Sequence, residues 1–80
     1  MKQILMENID NIHTTEMGVE RIKKNININC DVVEYVKSII MDSRVNIYKK
    51  GKNYYCELDN VIITINSYSY TIITSHLKKS

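Results

Sequence analysis

The chain contains no proline, two glycines and two cysteines in 80 residues, and what it lacks narrows its class before any motif is considered. A proline-free sequence of this length, 44% hydrophobic and 25% charged, describes one compact globular domain over residues 1–80, because so short a chain cannot supply two independent cores. At that size only about 60% of the unfolded surface is buried, so stability is modest and a partner or second copy has room to add to it. Cys30 and Cys56 lie far apart and show neither CxxC nor Cys/His spacing, which argues against a zinc site or a redox pair. Cys56 falls on the apolar parity of its strand, as a buried thiol does. No apolar run approaches the roughly 20 residues of a membrane span, and the opening "MKQILMENIDN" alternates charge with apolar residues instead of forming a signal-peptide core. A cytoplasmic protein is expected. P-loop, GxGxxG, HExxH, nucleophile-elbow and EF-hand patterns are all missing, so no cofactor and no metal cage is expected.

Net charge is also small, +2 overall, too little to argue for nucleic acid. Its distribution says more. Residues 1–43 carry five basic and seven acidic side chains, a net −2, whereas residues 44–80 carry six and two, a net +4. The positive field belongs to the C-terminal half.

What is present is a change of period near residue 44. In "KQILMENIDNI", Ile4, Leu5, Ile9 and Ile12 recur at helical spacing, predicting an amphipathic helix that stops near His13. Thr14 and Thr15 are N-cap types and Glu16 suits the first turn of a second helix, "EMGVERIKKNI", with Val19, Ile22 and Ile26 as its stripe. Gly18 inside it marks either a weak helix or a close approach of backbones. Asn29 or Asp31 can cap a third helix, "DVVEYVKSIIM", whose apolar face is wide. Glu16–Met41 could also be a helix-turn-helix, but Asp31 and Glu34 stand where a DNA reader needs cations.

From Arg44 onward apolar residues alternate. "RVNIYKK", "NYYCEL", "VIITIN" and "SYTIITSH" read as four strands of an antiparallel meander. Two-residue turns would set Lys50 opposite Asn53, Leu58 opposite Val61 and Asn66 opposite Ser69. One face then collects Val45, Ile47, Tyr54, Cys56, Leu58, Val61, Ile63, Ile65, Tyr70 and Ile72, a core side for the helices. The other collects Arg44, Asn46, Tyr48, Lys50, Asn53, Tyr55, Glu57, Thr64, Asn66, Ser69, Thr71 and Ser75, with Ile62 and Ile73 as apolar exceptions. The fold class is therefore α+β: three N-terminal helices (residues 1–43) packed on one face of a four-stranded antiparallel meander (residues 44–80).

On the polar face the expected rows are Tyr48–Tyr55–Thr64–Thr71 and Lys50–Asn53–Asn66–Ser69. Rings, hydroxyls, amides and cations together suit stacking on bases and pairing with phosphates; the same residues also simply fit an exposed sheet face. "KKGK" around the first hairpin, with "LKK" at the C-terminus, is a candidate anion-binding edge, or a guard against edge-to-edge pairing. Histidine ordinarily titrates near neutrality, so acid–base chemistry would recruit His13 or His76. His13 could equally cap the first helix, and His76 continues the core parity of Tyr70 and Ile72.

The blocks "IHTTEMGVERIKKNI", "KGKNYY" and "ITINSYSYTIITSH", in this order and spanning most of the chain, resemble a family of short bacterial domains of unknown function. The family's first block is matched by His13, Thr14, Thr15, Glu16, Gly18, Arg21 and Ile22, its second by Gly51, Lys52, Asn53, Tyr54 and Tyr55, its third by Asn66, Ser69, Tyr70, Thr71, Ile72, Ile73, Thr74 and His76. Tyr54 replaces the usual tryptophan, and Ser75 stands where alanine is common. In architecture the chain also looks like barnase/RelE-like ribonucleases, where helices precede a four-stranded antiparallel sheet. The resemblance raises His13, Arg21, Lys52, Asn53, Tyr55, Asn66, Thr71 and His76 as candidates.

The expectation is an RNA-directed domain, in the form of a metal-independent ribonuclease of toxin type. His13 or His76 would act as acid or base, Arg21 and Lys52 would stabilise phosphate charge, Tyr55 would stack, and Asn53, Asn66 and Thr71 would position RNA. The alternative is a non-enzymatic inhibitor or adaptor, antitoxin-like or phage-encoded, that blocks a nucleic-acid-binding host protein. A third is a homodimer held by sheet faces.

Overall fold

The computed structural model describes residues 2–78. Helix α1 (Lys2–Glu7), a 3₁₀ turn (Ile9–Asn11), α2 (Glu16–Ile26) and α3 (Val32–Met41) precede strands β1 (Asn46–Lys50), β2 (Asn53–Leu58), β3 (Val61–Asn66) and β4 (Ile72–Leu77). The strands form one antiparallel sheet in chain order.

The first helix is shorter than its apolar spacing predicts. Asn8 ends it by placing its side-chain amide on the Ile4 carbonyl at 2.9 Å, the local competition through which asparagine disfavours helix interiors. The other two match their expected limits because both are capped. Thr15 accepts from the Gly18 N–H (3.0 Å), Asp31 accepts from the Glu34 N–H (3.0 Å), and Asn27 in the left-handed region closes α2. Lys2 Nζ reaches the Asp42 carbonyl at 2.7 Å, tying α1 to the end of α3. Gly18 is a close approach: a Cβ there would run into Thr14 Oγ1.

One core joins Leu5, Ile12, Ile22, Ile26, Val32, Val36, Ile39 and Ile40 from the helical half to Tyr54, Cys56, Leu58, Ile63, Ile65 and Ile72 from the sheet. Each fully buried aliphatic contributes about 1.5–3 kcal/mol.

The first two hairpins have the predicted register, Lys50 opposite Asn53 and Leu58 opposite Val61. Gly51 at φ +63° supplies the left-handed residue that the first tight turn needs. The third hairpin differs. The Asn66 N–H donates to the Thr71 carbonyl and the Tyr70 N–H to the Asn66 carbonyl, both at 2.9 Å, so the loop is four residues, Ser67–Tyr70. Two extra loop residues leave the alternation of faces unchanged: Ile72 takes the place opposite Ile65 that the two-residue turn would give Tyr70, and it stays on the core side. Ile73 is then bulged, because the next pair is Thr64 with Thr74, and one extra residue inverts every face beyond it.

Four placements are corrected by this. Ser75, assigned to the polar face, pairs with Ile63 and is fully buried. His76, assigned to the core parity, pairs with Ile62 and is exposed. Thr71 is not in the middle row, which runs Tyr48–Tyr55–Thr64–Thr74, and Ser69 lies in the loop instead of continuing the Lys50–Asn53–Asn66 row.

Candidate functional site

A meander places its first and third turns at one end of the sheet and its second at the other. The Gly51–Lys52 turn therefore meets the Ser67–Tyr70 loop, and the Ser67 N–H donates to the Lys52 carbonyl at 2.9 Å. Lys50, Lys52, Asn53, Asn66 and Thr71 share that end. Among the described residues neither Lys50 nor Lys52 has an acidic partner within ion-pair distance.

His13 joins the same end from the helical half. The segment between the 3₁₀ turn and α2 lies parallel to the start of β4: the His13 N–H donates to the Tyr70 carbonyl at 3.3 Å, and the Ile72 N–H donates to the His13 carbonyl at 2.7 Å. His13 is a bridging residue on the sheet edge, not a helix cap. Thr14 Oγ1 donates to the Ile72 carbonyl (3.3 Å) and Asn25 Nδ2 to the Ser75 carbonyl (3.2 Å), so α2 runs alongside β4 and fixes the segment that carries the histidine.

The imidazole has both nitrogens engaged. Nδ1 is 2.7 Å from the Asn11 carbonyl, and Nε2 is 3.0 Å from Thr71 Oγ1, which is itself 2.8 Å from Ser69 Oγ. A carbonyl can only accept, so Nδ1 carries a proton, and in the neutral form of the ring Nε2 accepts from the Thr71 hydroxyl. A base within hydrogen-bond reach of a hydroxyl, oriented by a third group, is the arrangement that activates oxygen nucleophiles or moves protons.

The loop beside it is held firmly. Asn66 Oδ1 accepts from the Tyr68 N–H (2.8 Å) and the Ser69 N–H (3.0 Å). Tyr70 sits at φ +58°, a left-handed conformation costly for a bulky side chain. Asn66, expected to position substrate, thus has its carbonyl oxygen committed to the loop.

The other candidates are placed elsewhere. Tyr55 stacks on Tyr48 with ring centroids 5.4 Å apart and planes 17° from parallel. The Tyr48 hydroxyl donates to Glu57 Oε1 at 3.0 Å, and that carboxylate raises the hydroxyl above the ordinary tyrosine range. Arg21 lies on the outer side of α2 with Met17, Glu20, Lys24 and Asn25, around a shallow concavity of about 390 Å³, and no hydrogen bond or ion pair links it to His13, Thr71 or Lys52 among the described residues. His76 is at the far end of β4, five residues or about 17 Å of strand from Thr71. Lys78 is also there, 3.9 Å from Glu57 Oε2, so "KKGK" and "LKK" do not form one edge; Lys79 is outside the described residues. Burial pushes the Cys56 thiol up to about 12, which makes it inert. No cluster of metal-ligating side chains occurs among the described residues, and none of the helices is long and apolar enough to cross a membrane.

Sequence reasoning missed the Asn11 carbonyl and Tyr68 as parts of this end, and it set Ser69 in a strand row instead of a loop. The hydroxyl-rich "SYSYT" was the available signal, but without the loop length its side chains could not be assigned to a site.

The fold and this end together define a small α+β domain with a histidine–hydroxyl chain at the tip of a meander. The chain belongs to the family described as "Protein of unknown function (DUF3781)", whose model matches residues 6–76. No curated protein and no solved structure matches it, and the likeness to barnase/RelE-like ribonucleases is not shown by these comparisons.

Proposed function

We propose that this protein is an RNA-directed domain with the chemistry of a metal-independent ribonuclease of toxin type, acting in the cytoplasm, with its working end at the two hairpin tips. The observation that carries this reading is His13, held in one tautomer by the Asn11 carbonyl with Nε2 on the Thr71 hydroxyl, at the same end as a lysine-bearing turn without an acidic partner among the described residues. His13 serves as the base, while Lys50 and Lys52 receive phosphates and Asn53 lies beside them. Of the two histidines the reading keeps His13, because His76 is at the other end of β4.

The test is cleavage of a fluorescent single-stranded RNA in the presence of a chelator. Wild type and His76→Ala should cleave, and His13→Ala should lose roughly 100-fold or more. The adaptor reading draws on Met17 and Tyr68, exposed at 74% and 75%. It would replace the ribonuclease if RNA stayed intact while the chain held one host protein in a 1:1 complex unaffected by His13→Ala.

A further inference from the structure

Resting on the ribonuclease reading, we propose that the Ser67–Tyr70 loop is the RNA-contacting element: Tyr68 stacks on a base of single-stranded RNA, and Ser69 is the outer end of a proton relay running through Thr71 to His13.

The sheet face is poorly suited to that work. Tyr48 and Tyr55 already cover each other, and Glu57 at the end of the Tyr48 hydroxyl adds negative charge where phosphate would pass. Tyr68 is different, being 75% exposed on a loop whose backbone is clamped on both sides of its Cα by Asn66 Oδ1. A ring on a rigid mount loses little freedom on binding, and base–aromatic stacking tolerates any sequence. Lys52 is bonded through its carbonyl to the first residue of the same loop.

The hydroxyls next to Tyr68 form a directed chain. Ser69 is exposed, its Oγ is 2.8 Å from Thr71 Oγ1, and that oxygen is 3.0 Å from His13 Nε2. With Nδ1–H fixed on the Asn11 carbonyl, Thr71 donates to Nε2 and Ser69 donates to Thr71, which leaves a lone pair of Ser69 facing outward. A ribose 2′-hydroxyl placed there gives its proton to Ser69 Oγ as its oxygen attacks the adjacent phosphorus. Ser69 passes its own proton to Thr71, and Thr71 passes its proton to Nε2. The bond from phosphorus to the 5′-oxygen breaks, leaving a 2′,3′-cyclic phosphate. The departing 5′-oxygen takes a proton from solvent and the imidazolium returns one to solvent, so nothing else is consumed. The Tyr70 carbonyl, presented to the His13 N–H by a left-handed residue, holds the loop and the histidine in register.

The experiment titrates the full chain and its variants with a fluorescent single-stranded oligoribonucleotide, reading binding and cleavage separately, together with the ring-nitrogen spectrum of His13 in free protein. Tyr68→Ala should weaken binding about tenfold or more, while Tyr55→Ala leaves it unchanged. Thr71→Val should stop cleavage without loss of binding and move the His13 Nε2 resonance, and Thr71→Ser should restore both. The inference is overturned if Tyr55→Ala is the variant that weakens binding, if Thr71→Val cleaves as wild type does, or if Nε2 rather than Nδ1 carries the proton. Absence of RNA binding by wild type overturns the ribonuclease reading itself, a result distinct from each of these.

Discussion

Ser75 is fully buried opposite Ile63, and its hydroxyl has no hydrogen-bond partner. An unpaired buried hydroxyl costs about 1–3 kcal/mol, and the atom removed by Ser75→Ala is too small to leave a damaging cavity. This variant should therefore be more stable by about 1 kcal/mol, a rise of roughly 4–8 °C in Tm, read by thermal unfolding. Gly18→Ala should go the other way. Alanine would add up to about 1 kcal/mol of helix propensity, but its Cβ would displace Thr14 Oγ1 from the Ile72 carbonyl, so lower stability and a disturbed His13 segment are expected. Cys56 adds a pH dependence. Its thiol is raised from 9.0 to about 12 by burial; the unfolded chain therefore ionises first, and the stability this group contributes is complete below pH 9 and declines as pH rises toward 12. Denaturant unfolding across that range should show a shallower decline for Cys56→Ala, by up to about 1.4 kcal/mol per pH unit.

At the scale of elements, α2, α3 and the first two hairpins were legible because their signals are local, whereas the early end of α1 at Asn8 was not. Capping residues sit at Thr15 and Asp31, and Gly51 announces its turn. The third hairpin was not legible, because its left-handed residue is Tyr70, where sequence rules look for glycine or asparagine. The device that closes the loop is the side chain of Asn66, and an asparagine at a strand end is too common to read as a clamp. From that loop followed the errors at Ser69 and Thr71, and from the bulge at Ile73 those at Ser75 and His76. His13 could not be placed either, since its bridge to β4 joins residues 58 apart. Asn66→Ala tests the clamp. It removes the acceptor for two backbone N–H groups and should cost about 1–2 kcal/mol, and hydrogen exchange at the Tyr68 and Ser69 amides should accelerate while the amides of β2 keep their protection.

Across the whole molecule, the antiparallel order separates two ends of unlike charge character. Asp59 and the Glu57–Lys78 pair mark the end at the second turn, with Arg44 within 3.8 Å of Asp59, whereas the end at the first and third turns has Lys50 and Lys52 without acidic partners among the described residues. Net charge alone, at +2, could not locate such a site; the pairing of charges does. If phosphates dock at the tips, RNA affinity should fall with salt in proportion to the cations that meet the strand, about 0.7 log units per log unit of salt for each phosphate neutralised on a single strand. Two lysines predict a slope near −1.4. Lys50→Ser with Lys52→Ser should flatten that slope to nearly zero and weaken binding at low salt, whereas Lys78→Ser, at the far end and already paired with Glu57, should leave the slope unchanged. Fluorescence anisotropy against salt for the three proteins measures this directly. A slope that drops with Lys78→Ser and persists in the double variant would move the nucleic-acid end to the second turn, beside His76.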